Sequence, residues 1–129
     1  MYDLIIKNGI IIDGSGSEGY ISDIAISEGK ITLIAENINA DANKIIDAKG
    51  LTVTPGFIDS HSHSDTTVFD FPESIEKIEQ GITTSLGGQC GITPAPSGKG
   101  ITKTFGSMAE FLKEKKLGSN LKTFVGHGA

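Results

Sequence analysis

The sequence predicts an α/β chain in two parts: a small β-sheet unit over residues 1–54, then the opening strands and helices of a parallel β/α array over residues 55–129. Three observations carry this. Short β-branched runs separated by Gly- and Asn-containing turns fill the first 54 residues. From Pro55 onward, strand-like apolar runs alternate with stretches of helical spacing, the pattern of parallel strands joined by crossover helices. The residues able to do chemistry then fall at the carboxyl ends of the inferred strands: His61 and His63, Cys90, and His127.

Taken in order, Leu4 to Asp13 reads LIIKNGIIID, two β-branched runs around Asn8-Gly9. That dipeptide tolerates positive φ, so a two-residue hairpin or a sharp kink is expected there. DGSGSEG (13–19) is a polar loop. Ile21 to Ser27 alternates in the strand manner, and Glu28-Gly29 turns it into Lys30 to Ala35, a second hairpin. After a loop over 37–43, Lys44 to Asp47 and Leu51 to Thr54 read as two short strands. A strand over Phe57 to His61 follows, then a helix over about Glu73 to Gln80 with Ile75 and Ile78 turned inward and Gly81 as its stop. Ile82 to Gly87 is the next strand. Ser107 to Glu110 has a capping-box pattern and opens a helix that buries Met108, Phe111 and Leu112 and closes at Gly118. Lys113 to Lys116 form its solvated face, and a third strand runs from Leu121 to Gly126.

The chain has 129 residues, 11 Lys plus Arg against 16 Asp plus Glu, and a formal net charge of −5. That balance gives nucleic acid and anionic lipid no electrostatic purchase, and a small-molecule partner fits better. No apolar run approaches the roughly 20 residues of a membrane helix, and the start lacks a basic secretory segment, so a cytoplasmic location is expected. The single cysteine cannot form an internal disulfide. Three strands and two crossovers cannot close a barrel, which takes about 250 residues. The chain therefore reads as the front part of a longer enzyme, with strand edges left free for self-association into a homo-oligomer.

The stretch PGFIDSHSHSD (55–65) is the most informative. On an extended backbone His61 and His63 share a side about 6 to 7 Å apart, with Asp59 on that side too, and two ring nitrogens can then reach one ion. On a helix they would diverge. Cys90 lies in LGGQCG (86–91), where glycines let the backbone approach closely; its thiol is either a metal ligand or a small core group. Imidazole with thiolate suits zinc, not magnesium or calcium, and zinc points to hydrolysis through an acidified water and a polarised carbonyl. Asp59 reads as the carboxylate that orients a histidine, and Asp65 either does the same or only starts the loop. His127 either contacts substrate or bonds to backbone. A Cys-His nucleophile pair, Cys90 with His61 or His127, fits the spacing but leaves the paired histidines without a purpose. SGKG (97–100) lacks the Gly and the Ser or Thr of a phosphate loop.

On these residues the chain resembles the N-terminal part of the metal-dependent amidohydrolases and, among them, the N-acyl-D-amino-acid deacylases (D-aminoacylases). PGFIDSHSHSD is similar to the superfamily's first-strand motif. QGITTSLGGQCGITPAP (80–96) resembles the deacylase segment that carries a cysteine ligand where most relatives use other bridging groups, such as a carboxylated lysine, and FVGHG (124–128) resembles their third-strand end. The resemblance implies a small β-sandwich, begun by residues 1–54, beside a (β/α)8 TIM-type barrel that this chain leaves incomplete. It implies zinc, one or two ions in the longer parent, with a ligand at Cys90 and with His61 and His63 forming a second, weaker site. The implied reaction is hydrolysis of an N-acyl-D-amino acid to a carboxylate and a free D-amino acid. Later histidine ligands and the catalytic aspartate have no counterpart before Ala129, so the isolated chain is expected to be inactive and to bind zinc weakly or not at all. The competing readings are a cyclic-amide hydrolase of the hydantoinase or dihydroorotase type, and a non-catalytic self-associating domain.

Overall fold

The computed structural model describes residues 1–127. The chain divides into two compact units, Met1–Pro55 and Gly56–Ala129, and both are built on sheets with short helices confined to the second.

In the first unit the strands are β1 (Tyr2–Ile11), β2 (Tyr20–Ser27), β3 (Lys30–Ala35), β4 (Ala42–Asp47) and β5 (Thr52–Val53). They lie in the order β3-β2-β1-β4, with β5 pairing β1 further along. The β2–β3 hairpin turns at Glu28 and Gly29, both at positive φ (52° and 71°), which matches the right-handed twist of the strands it joins. Asn8-Gly9 makes no hairpin. The chain runs straight through as β1, and the positive φ of Asn8 (61°) is spent on a bulge that shifts the β1–β2 register between Ile6 and Gly9. β4 and β5 do not pair with each other; each runs parallel to β1.

The reason the bulge holds is Asp23 on β2, which is only 2% exposed. Its carboxylate accepts the backbone N–H of Asn8 at 2.9 Å and of Ile38 at 2.9 Å, and the Lys7 ammonium sits 3.4 Å away. One charged group thus fastens the bulge in β1 and the loop after β3, beside a core of Ile5, Ala25 and Ile38. A second apolar surface is uncovered: Ile6, Ile24, Ile26, Ile31, Ile34 and Val53 line a groove of about 260 Å³.

In the second unit β6 (Phe57–Asp59), β7 (Ile82–Gly87) and β8 (Asn120–Thr123) form an all-parallel sheet in that order. β7 has the predicted bounds. β6 is shorter than expected and stops before the histidines, because the chain bends into α1 (Ser64–Thr67), a helical turn the sequence pattern did not suggest. The next helix, α2, covers only Ile75–Ile78. Ile75 and Ile78 share one face of the single turn but do not turn inward: they are 59% and 46% exposed. The last helix, α3 (Phe105–Lys113), starts earlier than predicted. Thr104, not Ser107, is its N-cap; Thr104 accepts the Ser107 N–H while the Ser107 hydroxyl accepts the Thr104 N–H. Met108 is buried, whereas Phe111 and Leu112 are half-buried. The helix ends at Lys113, and Gly118 donates its N–H to the Pro72 carbonyl in the following loop. Among the described residues no helix is long and apolar enough to cross a membrane.

Two outcomes are expected from Asp23. Replacing it with Ala strands the buried N–H of Ile38 and the partly buried N–H of Asn8 and destabilises the first unit by about 2 kcal/mol in urea unfolding. Burial pushes its carboxyl up, but the N–H groups of Ile38 and Asn8 and the Lys7 ammonium outweigh burial and hold it below the ordinary value of 3.8. The stability it contributes is therefore present above about pH 4 and is lost as pH falls through the lower folded value. An Asp23→Asn variant should show a shallower loss of stability in acid than the parent.

Candidate metal centre

Parallel pairing puts the carboxyl ends of β6, β7 and β8 at one edge of their sheet, and the functional side chains follow from how each strand leaves it. After Asp59 one more inter-strand bond forms, the Ser62 N–H donating to the Leu86 carbonyl at 3.0 Å. The alternation of the strand therefore persists beyond its last residue: His61 and His63 are exposed, while Ser62 and Ser64 between and after them are buried. The two buried hydroxyls bond to each other at 2.6 Å. The imidazoles lie with centroids 6.2 Å apart, inclined by 69°.

β7 leaves its sheet through glycines. Gly88 has φ 73°, and a Cβ there would strike the Phe124 carbonyl oxygen, so only glycine lets the two chains pass. Cys90 follows in a short 3₁₀ turn, Gln89–Gly91, with φ 57° and ψ 21°. This left-handed conformation is uncommon for a residue with a side chain. Gln89 donates from its side-chain amide to the Ser60 carbonyl at 3.1 Å, tying the β7 exit to the β6 exit. The Cys90 Sγ then sits 3.4 Å from His61 Nε2.

His61, His63 and Cys90 thus bring three donor atoms within 4.8 Å of one another, all on exposed residues. The set fits zinc in kind, thiolate with imidazoles. It also fits in spacing: Zn–S and Zn–N bonds of about 2.3 and 2.05 Å at a tetrahedral angle put sulfur and nitrogen about 3.6 Å apart, near the 3.4 Å between Cys90 Sγ and His61 Nε2.

The remaining predicted site residues go elsewhere. Asp59 meets His61 through the backbone, not the ring: its Oδ1 accepts the His61 N–H at 3.3 Å and its Oδ2 accepts Lys77 Nζ at 2.6 Å. The Lys77 hydrogen bond holds the Asp59 carboxyl below the ordinary value, against burial. Asp65 opens α1 and is fully buried. It packs against Gly87, accepts the Thr123 hydroxyl at 3.4 Å, and leaves Oδ1 without a partner among the described residues. It reaches neither imidazole. His127 is exposed in the turn after β8 and is not part of the three-donor group. Lys77 and Gln89 escaped the sequence reading. Lys77 sits 18 residues from its carboxylate, and no local motif marks such a pair.

Known proteins resemble this chain along most of its length. The chain is 43% identical over 94 residues to N-acyl-D-aspartate deacylase and 40% identical over 95 residues to D-aminoacylase, both of Alcaligenes xylosoxydans xylosoxydans. These matches cover 73% and 74% of this chain but 19% and 20% of those proteins, so the chain spans about a fifth of the length of the curated relatives it matches. Its fold superposes with a TM-score of 0.87 and 33% identity on the crystal structure of N-acyl-D-glutamate deacylase from Bordetella bronchiseptica, a protein complexed with zinc and a phosphonate inhibitor; 98% of this chain and 30% of that one are covered. Residues 44–109, half of the chain, match the model of the amidohydrolase family, and the chain belongs to that family.

Proposed function

We propose that these residues provide the first metal-binding elements of a zinc-dependent deacylase that hydrolyses the linear amide of N-acyl-D-amino acids. The observation that carries this reading is the convergence of Cys90 with His61 and His63 within 4.8 Å. A hydantoinase-type reading has no use for the thiol, since a lysine further along would bridge the metal there. The similarity to deacylases of N-acyl-D-aspartate and N-acyl-D-glutamate supports the substrate class.

In this reading Met1–Pro55 begins a β-sandwich whose uncovered isoleucine groove receives later strands, and β6, β7 and β8 open a (β/α)8 barrel. Zinc bound at the site would supply a Lewis acid for the amide carbonyl and acidify the attacking water. The chain's own residues hold and aim it: His61, His63 and Cys90 donate, Asp59 fixes the His61 backbone, and Gln89 keeps the two strand exits together. Asp65 braces the end of β7 from beneath, beside Gly87. His127, exposed after the exit of β8, would contact substrate or bond to backbone. The general base comes from beyond Ala129, so the 129-residue chain binds metal weakly and does not turn over.

Cobalt(II) added in excess tests the donor set, because a thiolate ligand gives a sulfur-to-metal absorption band. The parent chain should show this band, and Cys90→Ser should lack it; a parent spectrum without the band would remove the reading. In the longer protein Cys90→Ser should abolish zinc retention. The purified 129-residue chain should release no D-amino acid from N-acetyl-D-amino acids, and turnover by it would overturn the assignment of the base to later residues.

A further inference from the structure

The segment that carries both histidines has little to hold it. β6 ends at Asp59, and among the described residues the segment from Ser60 to His63 is tied across to β7 and its exit by one backbone bond, Ser62 N–H to Leu86 O, and by the Gln89 side-chain amide on the Ser60 carbonyl. Metal ligands need better orientation than that, since each imidazole must keep one direction while ions come and go. Lys77, on α2, reaches across to this segment. Its ammonium donates to Asp59 Oδ2 at 2.6 Å and to Ser62 Oγ at 3.1 Å. Asp59 in turn accepts the His61 N–H, and Ser62 Oγ accepts the Ser64 N–H at 3.1 Å. One side chain thus grips the residues on both sides of His61, and the second of these lies between the two histidines.

The Lys77–Asp59 pair is largely shielded, with side chains 17% and 26% exposed. By contrast Lys113 and Glu110, at 2.7 Å, are 70% and 73% exposed, where an ion pair fixes little. We infer that Lys77 is a positioning residue for the His61/His63 donor pair, holding the exit of β6 in the conformation that lets both imidazoles face Cys90. The inference rests on the metal reading above. Lys77 touches no donor atom; it acts through Asp59 and Ser62.

Cobalt(II) titration of the 129-residue chain, followed through the thiolate band, tests it. Lys77→Met should raise the apparent dissociation constant about 10- to 100-fold, the range for losing an outer partner of a ligand, and should change the band at saturation. Lys113→Met should leave both unchanged. A Lys77→Met chain that melts earlier but binds cobalt with the parent's affinity and spectrum would reduce the contact to ordinary stabilisation and overturn the inference. Should Lys77→Met not fold, the paired replacement Lys77→Met/Asp59→Asn removes both charges at once and avoids a lone, partly buried carboxylate. The same loss of affinity is expected from it, and parental affinity would overturn the inference. A parent chain with no Cys90-dependent band would overturn the metal reading and this inference together, whereas a normal parent band with an indifferent Lys77→Met overturns this inference alone.

Discussion

Parallel pairing of β6 with β7 is the constraint on which the site depends. Phe57 pairs with Ile82 and Asp59 with Ser85, so both strands point their carboxyl ends the same way and the two exits, 60–63 and 88–91, meet at one edge. Reversing either strand would move its exit to the far end of the sheet. Within that frame the close approach is set by small groups: Gly87 admits the Asp65 carboxylate and Gly88 admits the Phe124 carbonyl. The second strand can therefore end as a tight turn and not as an open loop.

The two units solve a similar problem with similar chemistry. Each has an irregular segment where ladder hydrogen bonds fail, and each fastens it with an aspartate that accepts backbone N–H, two groups at Asp23 and one at Asp59, together with one lysine. In the first unit Asp23 holds the bulge at Asn8 and the loop at Ile38. In the second, Asp59 and Lys77 hold the exit of β6. A carboxylate suits this work because it accepts several bonds at once, and charge-assisted bonds are roughly twice as strong as neutral ones. Asp65 differs: it is fully buried, has no lysine beside it, and keeps one oxygen unpaired among the described residues.

What could be read from the sequence follows from how local each signal is. Ile82 to Gly87 was legible to the residue because a β-branched run bounded by glycines has one reading. The Glu28-Gly29 turn was legible for the same reason. Asn8-Gly9 carried a true local message, positive φ, but whether it reverses the chain or only bulges it was decided by Asp23, 15 residues away. The inward turn expected of Ile75 and Ile78 is not seen: the helix is a single turn long, and both side chains stay exposed. Of the site, the paired histidines and the cysteine were legible as a motif, although the strand stops short of them and a bend, followed by one stray ladder bond, keeps their alternation. Lys77 was not legible, since its role exists only once α2 is folded against the end of β6.

The backbone at Cys90 carries a wider meaning. At φ 57° it occupies ground that its neighbours Gly88 and Gly91 occupy with no Cβ to accommodate, and a side chain there costs on the order of 1 kcal/mol. A third glycine would make this loop more comfortable and the molecule hardier, at the loss of its sulfur. Screens that reward only thermal robustness would therefore drift toward Gly at this position and select, unknowingly, for a protein that has lost the one sulfur of the His61, His63 and Cys90 group.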